Sequence, residues 1–318
     1  MTIHEFSEQV LQETGKVILG KREQTELMLT ALLADGHVLL DDLPGVGKTT
    51  LVKTFARASG CSMGRIQFVP DLMPADITGM SVYDRKTNDF RRVPGPIFCN
   101  ILLADEINRA VPRTQSALLE AMEEKTVTID GETLPLPAPF LVLATQNPVE
   151  SESTFRLPAA QMDRFLLRIS LGYPDAESEK QMLAQSEVGP EQADIVGDSE
   201  TILALRKDAA NVEAAESIRE YIVSLTSATR EMRGVTMGAG PRATKALYRA
   251  AKAFAAIRGR SFVTPDDVKY LAPFVLTHRI LLSGEARMAG RSAEKVIEEV
   301  LQSTPVPPER TELFDRKP

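Results

Sequence analysis

The chain has 318 residues, 43% of them apolar and 25% charged, which excludes wholesale disorder and supplies enough material for a sizeable core. At roughly 150 residues per domain, that length suggests two domains. The 37 Lys and Arg against 44 Asp and Glu leave a net charge of −7, which argues against a uniformly basic nucleic-acid coat.

The start of the chain, Met1-Thr2-Ile3-His4-Glu5-Phe6, has no basic segment and no long apolar run, so no leader peptide is expected. No stretch approaches the roughly 18 apolar residues of a membrane span, and a cytoplasmic location is the expectation. Five short runs then read as buried parallel strands: 37–41 (HVLLD), 65–69 (RIQFV), 101–105 (ILLAD), 140–144 (FLVLA) and 166–170 (LLRIS). Helical patterns over 48–59 and 112–124 lie between them, the second with Pro112 in its first turn and Ala117, Leu118, Ala121 and Met122 on one face. This alternation predicts a parallel α/β layer. Two stretches interrupt it. Residues 79–98 hold a polar turn between two extended pieces, and 126–137 carry Asp130-Gly131 between alternating residues. Both read as β-hairpin inserts, with plain surface loops as the equal alternative.

After Gly172-Tyr173-Pro174 the texture changes, which divides the chain into 1–172 and 173–318. Residues 218–229 are amphipathic through Ile218, Tyr221, Ile222 and Leu225, and 241–258 are Ala-rich. Thr264-Pro265-Asp266-Asp267 is a helix start, and Ser292 opens a last helix to Gln302. Residues 187–199 read as a long connection and 303–318 as a loosely ordered tail. Two cysteines, Cys61 and Cys99, make no disulfide framework and no zinc cluster. His4, His37 and His278 are scattered, which leaves a His-based metal or acid–base site without support.

The first strand runs into Asp42-Leu43-Pro44-Gly45-Val46-Gly47-Lys48-Thr49-Thr50. A P-loop has Gly, four residues, then Gly-Lys-Ser/Thr; here Asp42 replaces the first glycine. Pro44, Gly45, Val46 and Gly47 would wrap backbone N–H groups around phosphate oxygens, and Lys48 would add a positive charge. Thr49, at the head of a helix with Thr50 beside it, would offer a hydroxyl to Mg²⁺. The third strand ends in Asp105-Glu106, where Asp105 would hold Mg²⁺ and Glu106 would orient or deprotonate the attacking water. Asn147, past the fourth strand, would position water near the γ-phosphate, although Asn147-Pro148 is equally a turn signal. Arg164 precedes the fifth strand and is either a surface charge or an arginine finger acting on a neighbour's nucleotide. Arg242 opens a helix of the second half, facing the γ-phosphate or solvent.

In this order the pieces resemble the AAA+ ATPases, and closely the MoxR branch in the helix-2-insert clade. The text that carries the resemblance is LPGVGKT (43–49), QFVPDLMPADITG (67–79), LADEINRAVPRTQSALLEAMEE (103–124), ATQNPVE (144–150), LPAAQMDRF (157–165) and GPRATKAL (240–247). It covers roughly residues 14–282. The resemblance implies a five-stranded parallel sheet in the order 5-1-4-3-2 and a C-terminal all-α lid. It makes Lys48 and Thr49 Walker A, Asp105 and Glu106 Walker B, Asn147 sensor 1, Arg164 or nearby Arg156 the finger, and Arg242 sensor 2. Residues 79–98 become the clade's insert and 126–137 the pre-sensor-1 hairpin. It implies ATP and Mg²⁺, a hexameric ring, and chaperone-like remodelling, maturation or metal loading of a protein partner, often one with a von Willebrand A domain. Alternatives are an ATP-binding assembly switch with slow turnover, a P-loop kinase, and a DNA-remodelling ATPase. The last draws on Arg85, Lys86, Arg91 and Arg92 in the first hairpin, against the acidic overall charge.

Overall fold

The computed structural model describes residues 1–41, 45–147, 154–188 and 192–307, with backbone alone for 184–188. In the first half the strands are β1 (Val38–Asp41), β2 (Met63–Gln67), β3 (Gly79–Asp84), β4 (Asp89–Pro94), β5 (Ile101–Asp105), β6 (Thr126–Ile129), β7 (Glu132–Pro135), β8 (Leu141–Gln146) and β9 (Leu167–Ile169). Their helices are α1 (Ile3–Val17), α2 (Arg22–Leu33), α3 (Lys48–Ala58), α4 (Pro74–Thr78), α5 (Pro112–Glu124) and α6 (Ala159–Met162). The second half holds α7 (Ala176–Val188), α8 (Ser199–Ala210), α9 (Glu216–Glu231), α10 (Pro241–Ile257), α11 (Pro265–Leu276), α12 (Gly284–Met288) and α13 (Ala293–Ser303). A small pair, β10 (Val235–Met237) with β11 (Leu281–Leu282), breaks the otherwise helical run.

Five strands form one parallel sheet in the order β2-β5-β8-β1-β9. Counted among themselves in chain order, that is 5-1-4-3-2. Alternation sorts their side chains onto two faces. Val38, Leu40, Ile101, Leu103, Leu141 and Leu143 join a core shared with α1, α2, α3 and the C-terminal helices. Leu39, Leu102, Ala104, Val142 and Ala144 join a second core with α5. Ile101 to Ala104 are wholly buried, which explains a continuous apolar run in place of alternation. Each such Leu or Ile contributes about 1.5–3 kcal/mol of transfer free energy.

β2 starts and ends two residues earlier than the sequence suggests, because pairing with β5 sets Gln67 opposite Asp105 and the ladder stops there. It is an edge strand in which Ile66 alone is buried, so its apolar character is weaker than that of the other four. Both interrupting stretches are hairpins, β3–β4 and β6–β7, the second turning through Asp130 and Gly131 at positive φ. An ion pair between Arg92 and Glu132 ties one hairpin to the other.

The connection expected over 187–199 is shorter: α7 runs to Val188, and Asp198 caps α8 by accepting the Thr201 N–H at 2.8 Å. Helix starts at Thr264 and Ser292 are as read, each with a side-chain cap. Residues 308–318 of the expected tail lie outside the described residues. Helices α1 and α2 are among the elements that carried no sequence expectation. They lie against α10 and α8, with the Arg258 guanidinium donating to Glu26 at 2.6 and 2.9 Å. Lys21 is buried and donates to the carbonyls of Leu171 (2.7 Å), Gly172 (3.2 Å) and Tyr173 (3.2 Å), where the chain leaves the sheet for the second half.

Candidate functional site

The loop after β1 leads straight into α3. Asp42, Leu43 and Pro44 lie outside the described residues. Gly45 (φ 84°) and Gly47 (φ 83°) are left-handed, and a Cβ on either would meet open space. Glycine is therefore required by backbone conformation and not by crowding. Gly47 caps α3, whose first turn carries Lys48, Thr49 and Thr50 and no acid. Amide N–H groups and the positive end of the helix dipole are thus left for an anion.

Sheet order brings the second motif alongside. β8 lies between β1 and β5, with Asp41 opposite Gln146 and Ala144 opposite Ala104. Thr145, which sequence reasoning missed, joins the strand tips: its hydroxyl donates to Asp105 Oδ1 at 2.7 Å, and its oxygen accepts the Glu106 N–H at 2.8 Å. Glu106 has φ 56° and ψ 51°, a costly conformation for a non-glycine that turns its carboxylate out of the strand direction. Its Oε2 accepts from Gln67 Nε2 (2.9 Å) and Arg109 Nη1 (3.1 Å). Asp105 Oδ2 accepts from Arg65 Nη2 at 2.8 Å. Asn147 is buried just beyond β8, and its carbonyl accepts from Asn108 Nδ2 at 3.4 Å. Lys48, Thr49, Asp105, Glu106 and Asn147 thus all lie at or beyond the C-terminal ends of adjacent strands, where open α/β sheets bind ligands.

Arg164 and Arg242 lie elsewhere. Together they flank a shallow cavity of about 260 Å³ lined by Gly36, His37, Glu123, Leu166 and Arg249 among others. Gly36 and His37 precede β1 and Leu166 precedes β9, so this cavity is at the strands' N-terminal ends, opposite the phosphate loop. Glu123, in the last turn of α5, binds both arginines: Arg164 Nε lies 3.0 Å from its Oε2, and Arg242 pairs with its Oε1. Arg242 Nη1 is also 3.7 Å from Asp163 Oδ2. Arg279 is almost wholly buried behind them, with its Nε 2.7 Å from Asp163 Oδ1 and its Nη2 donating to Phe165 O at 2.6 Å. Arg156 is exposed. No local pattern marks Glu123, Asp163 or Arg279, because their partners are distant in sequence.

His37 sits under this cavity as a neutral imidazole. Its Nδ1 accepts the Val142 N–H (3.0 Å), so Nε2 carries the hydrogen donated to Met122 O (3.1 Å). Burial pushes its pKa down to about 4, Lys125 and Arg206 push the same way, and Asp35 opposes them. Below pH 6.5 the unfolded chain takes up a proton that the folded chain refuses until about pH 4. Stability is therefore full above pH 6.5 and falls with acid, by about 2 kcal/mol at pH 5 from this group. Thermal melts from pH 7.5 to 5 check this: His37→Gln should lose less stability over that range than the native chain, and equal losses would refute it.

The donors also bear on metal binding. Among the described residues no three His, Cys, Asp or Glu side chains cluster as a metal cage. The Thr49 hydroxyl, at the head of the helix after β1, and the Asp105 carboxylate, at the end of β5, are hard oxygen donors on either side of the β8 tip, which fits a Mg²⁺ that keeps water and substrate phosphates in its shell. Both cysteines are free thiols, pushed by burial up to about 12 (Cys61) and about 11 (Cys99), so neither is a reactive nucleophile. No helix among the described residues is long and apolar enough to cross a membrane.

Comparison with known proteins agrees with this geometry. A family model described as "ATPase family associated with various cellular activities (AAA)" matches residues 37–167, and one described as "AAA lid domain" matches 227–300. The chain is 47% identical to the uncharacterized protein YeaC of Bacillus subtilis, over 97% of each chain. It is 44% identical to the chaperone MoxR1 of Mycobacterium tuberculosis, over 94% of this chain and 82% of the relative. A solved structure of a candidate ATPase from Cytophaga hutchinsonii superposes with a TM-score of 0.90 at 39% identity, covering 96% of both chains.

Proposed function

Because the chain belongs to the MoxR branch of the AAA+ ATPases and is an ATP hydrolase, we propose that it is an oligomeric, Mg²⁺-dependent motor that completes each active site between two subunits. One observation carries this reading: Arg164 and Arg242 stand at the end of the sheet away from Lys48, Asp105 and Glu106. Neither arginine can serve its own chain's phosphate loop without a large rearrangement. A neighbour in a closed ring brings the arginine end of one subunit to the phosphate end of the next.

In this reading Gly45 to Thr50 cradle the phosphates and Lys48 neutralises them. Glu106 accepts the proton of the attacking water, and Asn147 aligns that water. Arg164, with Arg242 held next to it by Glu123, offsets charge on the neighbour's γ-phosphate. Bound Mg²⁺, held by Thr49 and Asp105, would supply charge neutralisation across the β- and γ-phosphates. Residues 1–172 form the nucleotide-binding unit and 173–318 the lid, joined where Lys21 grips Leu171 to Tyr173. A hexameric ring, a cytoplasmic location and a chaperone-like role toward a protein client, with a von Willebrand A-domain protein as the partner class, complete the proposal. Maturation or metal loading of that client is its output. The MoxR1 relative, named a chaperone, supports that direction.

The test is steady-state ATP hydrolysis per subunit across a protein concentration series. Specific activity should rise with concentration and level off as rings fill. A flat profile down to concentrations at which the protein sediments as a monomer would overturn shared sites.

A further inference from the structure

We propose that Arg65 is the resident counter-cation of Asp105, which it must leave for a Mg²⁺–nucleotide to take that carboxylate, and that its departure also loosens the hold on Glu106. The inference rests on the reading of Asp105 as the Mg²⁺ acid. Asp105 has two oxygens with different fates. Oδ1 is committed to the strand tip through the Thr145 hydroxyl at 2.7 Å. Oδ2, the oxygen left for a metal or its water, is held by Arg65 Nη2 at 2.8 Å. A guanidinium and a divalent cation do not share one carboxylate oxygen at contact distance, because their own repulsion opposes it.

Arg65 also reaches the second acid. It and Gln67 are alternate residues of β2, so both side chains leave the same face of the edge strand. Arg65 Nη2 donates to Gln67 Oε1 at 3.0 Å, and Gln67 Nε2 donates to Glu106 Oε2 at 2.9 Å. The two ends of the amide are thereby distinguished. A guanidinium has only donors, so the amide oxygen must face Arg65 and the amide NH₂ must face Glu106. Asp105, Arg65, Gln67 and Glu106 form one chain of charge-assisted bonds in which Arg65 orients the middle link. Its position permits the motion: the Arg65 side chain is 49% exposed, whereas Asp105 is 13% exposed. The guanidinium can swing into water on its flexible stem while the acid stays at the strand tip. Arg65 is thus a positioning residue and touches no reacting atom.

The experiment measures the affinity of a fluorescent ATP analogue in Mg²⁺ and in EDTA, and takes the ratio, for the native chain, Arg65→Met, Gln67→Leu and Asp105→Asn. The ratio cancels any direct contact between Arg65 and phosphate. Arg65→Met should raise the Mg²⁺/EDTA ratio by about fivefold, the size of one partly exposed ion pair. Gln67→Leu, which cuts the chain beyond Arg65, should leave the ratio at the native value. An unchanged ratio in Arg65→Met, or an equal rise in Gln67→Leu, overturns the proposal. Arg65→Gln repeats the test should Arg65→Met melt at a lower temperature than the native chain. Asp105→Asn separates the two layers. If it keeps the native ratio, the reading of Asp105 fails; if it loses Mg²⁺ dependence while Arg65→Met leaves the ratio unchanged, only the role of Arg65 fails.

Discussion

Glu106→Gln should bind ATP as tightly as the native chain and turn it over about 10²–10⁴ times more slowly, a barrier increase of about 3–5 kcal/mol. The substitution keeps the size of the side chain and removes its ability to take a proton. It leaves the phosphate loop untouched, so binding and chemistry separate. The amide can still accept from Gln67 and Arg109 through its oxygen, so the αL turn at Glu106 keeps its support. Single-turnover hydrolysis read beside equilibrium binding of ATP checks both halves. Native turnover in Glu106→Gln would remove the residue from catalysis, and lost binding would make it structural.

The second large effect is a complementation. Arg164→Ala should lower turnover by about 10³–10⁵-fold, as removal of an arginine finger does, and Lys48→Ala should abolish it by emptying the phosphate loop. Mixed together, the two dead variants should recover activity. In a mixed ring some interfaces pair an intact Lys48 loop from one variant with an intact Arg164 from the other, about a quarter by random assembly. Recovery on mixing can arise only if the arginine acts across the interface. A mixture that stays at background while both variants still assemble would place Arg164 in its own subunit's site or in no site. Glu123 makes the same geometry vulnerable from another direction, since it holds Arg164 and Arg242 as a pair on the last turn of α5.

These expectations rest on parts of the molecule that differ in how far they could be read beforehand. The strand over 101–105 and the helix over 112–124 agree with the sequence reading residue for residue, because buried apolar runs and a proline in the first helical turn are local signals. The edge strand was displaced because its end is set by its partner, not by its own composition. Helices α1 and α2 passed unread although Thr2 and Glu5 form a capping box at the first start.

By itself the sequence determined the alternation of strands and helices, the turn glycines of the phosphate loop, the Asp105-Glu106 pair and the Asp130-Gly131 turn. In each the chemistry lies in consecutive residues and is legible locally, although the left-handed turn at Glu106 is supported by Gln67, Arg109 and Thr145. Only the tertiary structure decided which groups meet. Arg65 and Asp105 are 40 residues apart, as are Thr145 and Asp105, and Arg242 and Glu123 are 119 apart. Their contacts follow from sheet order, from strand register and from the packing of the second half against the N-terminal ends of the strands. That arrangement is fixed by burying two apolar faces at once, a property of the whole chain to which no single segment carries the answer.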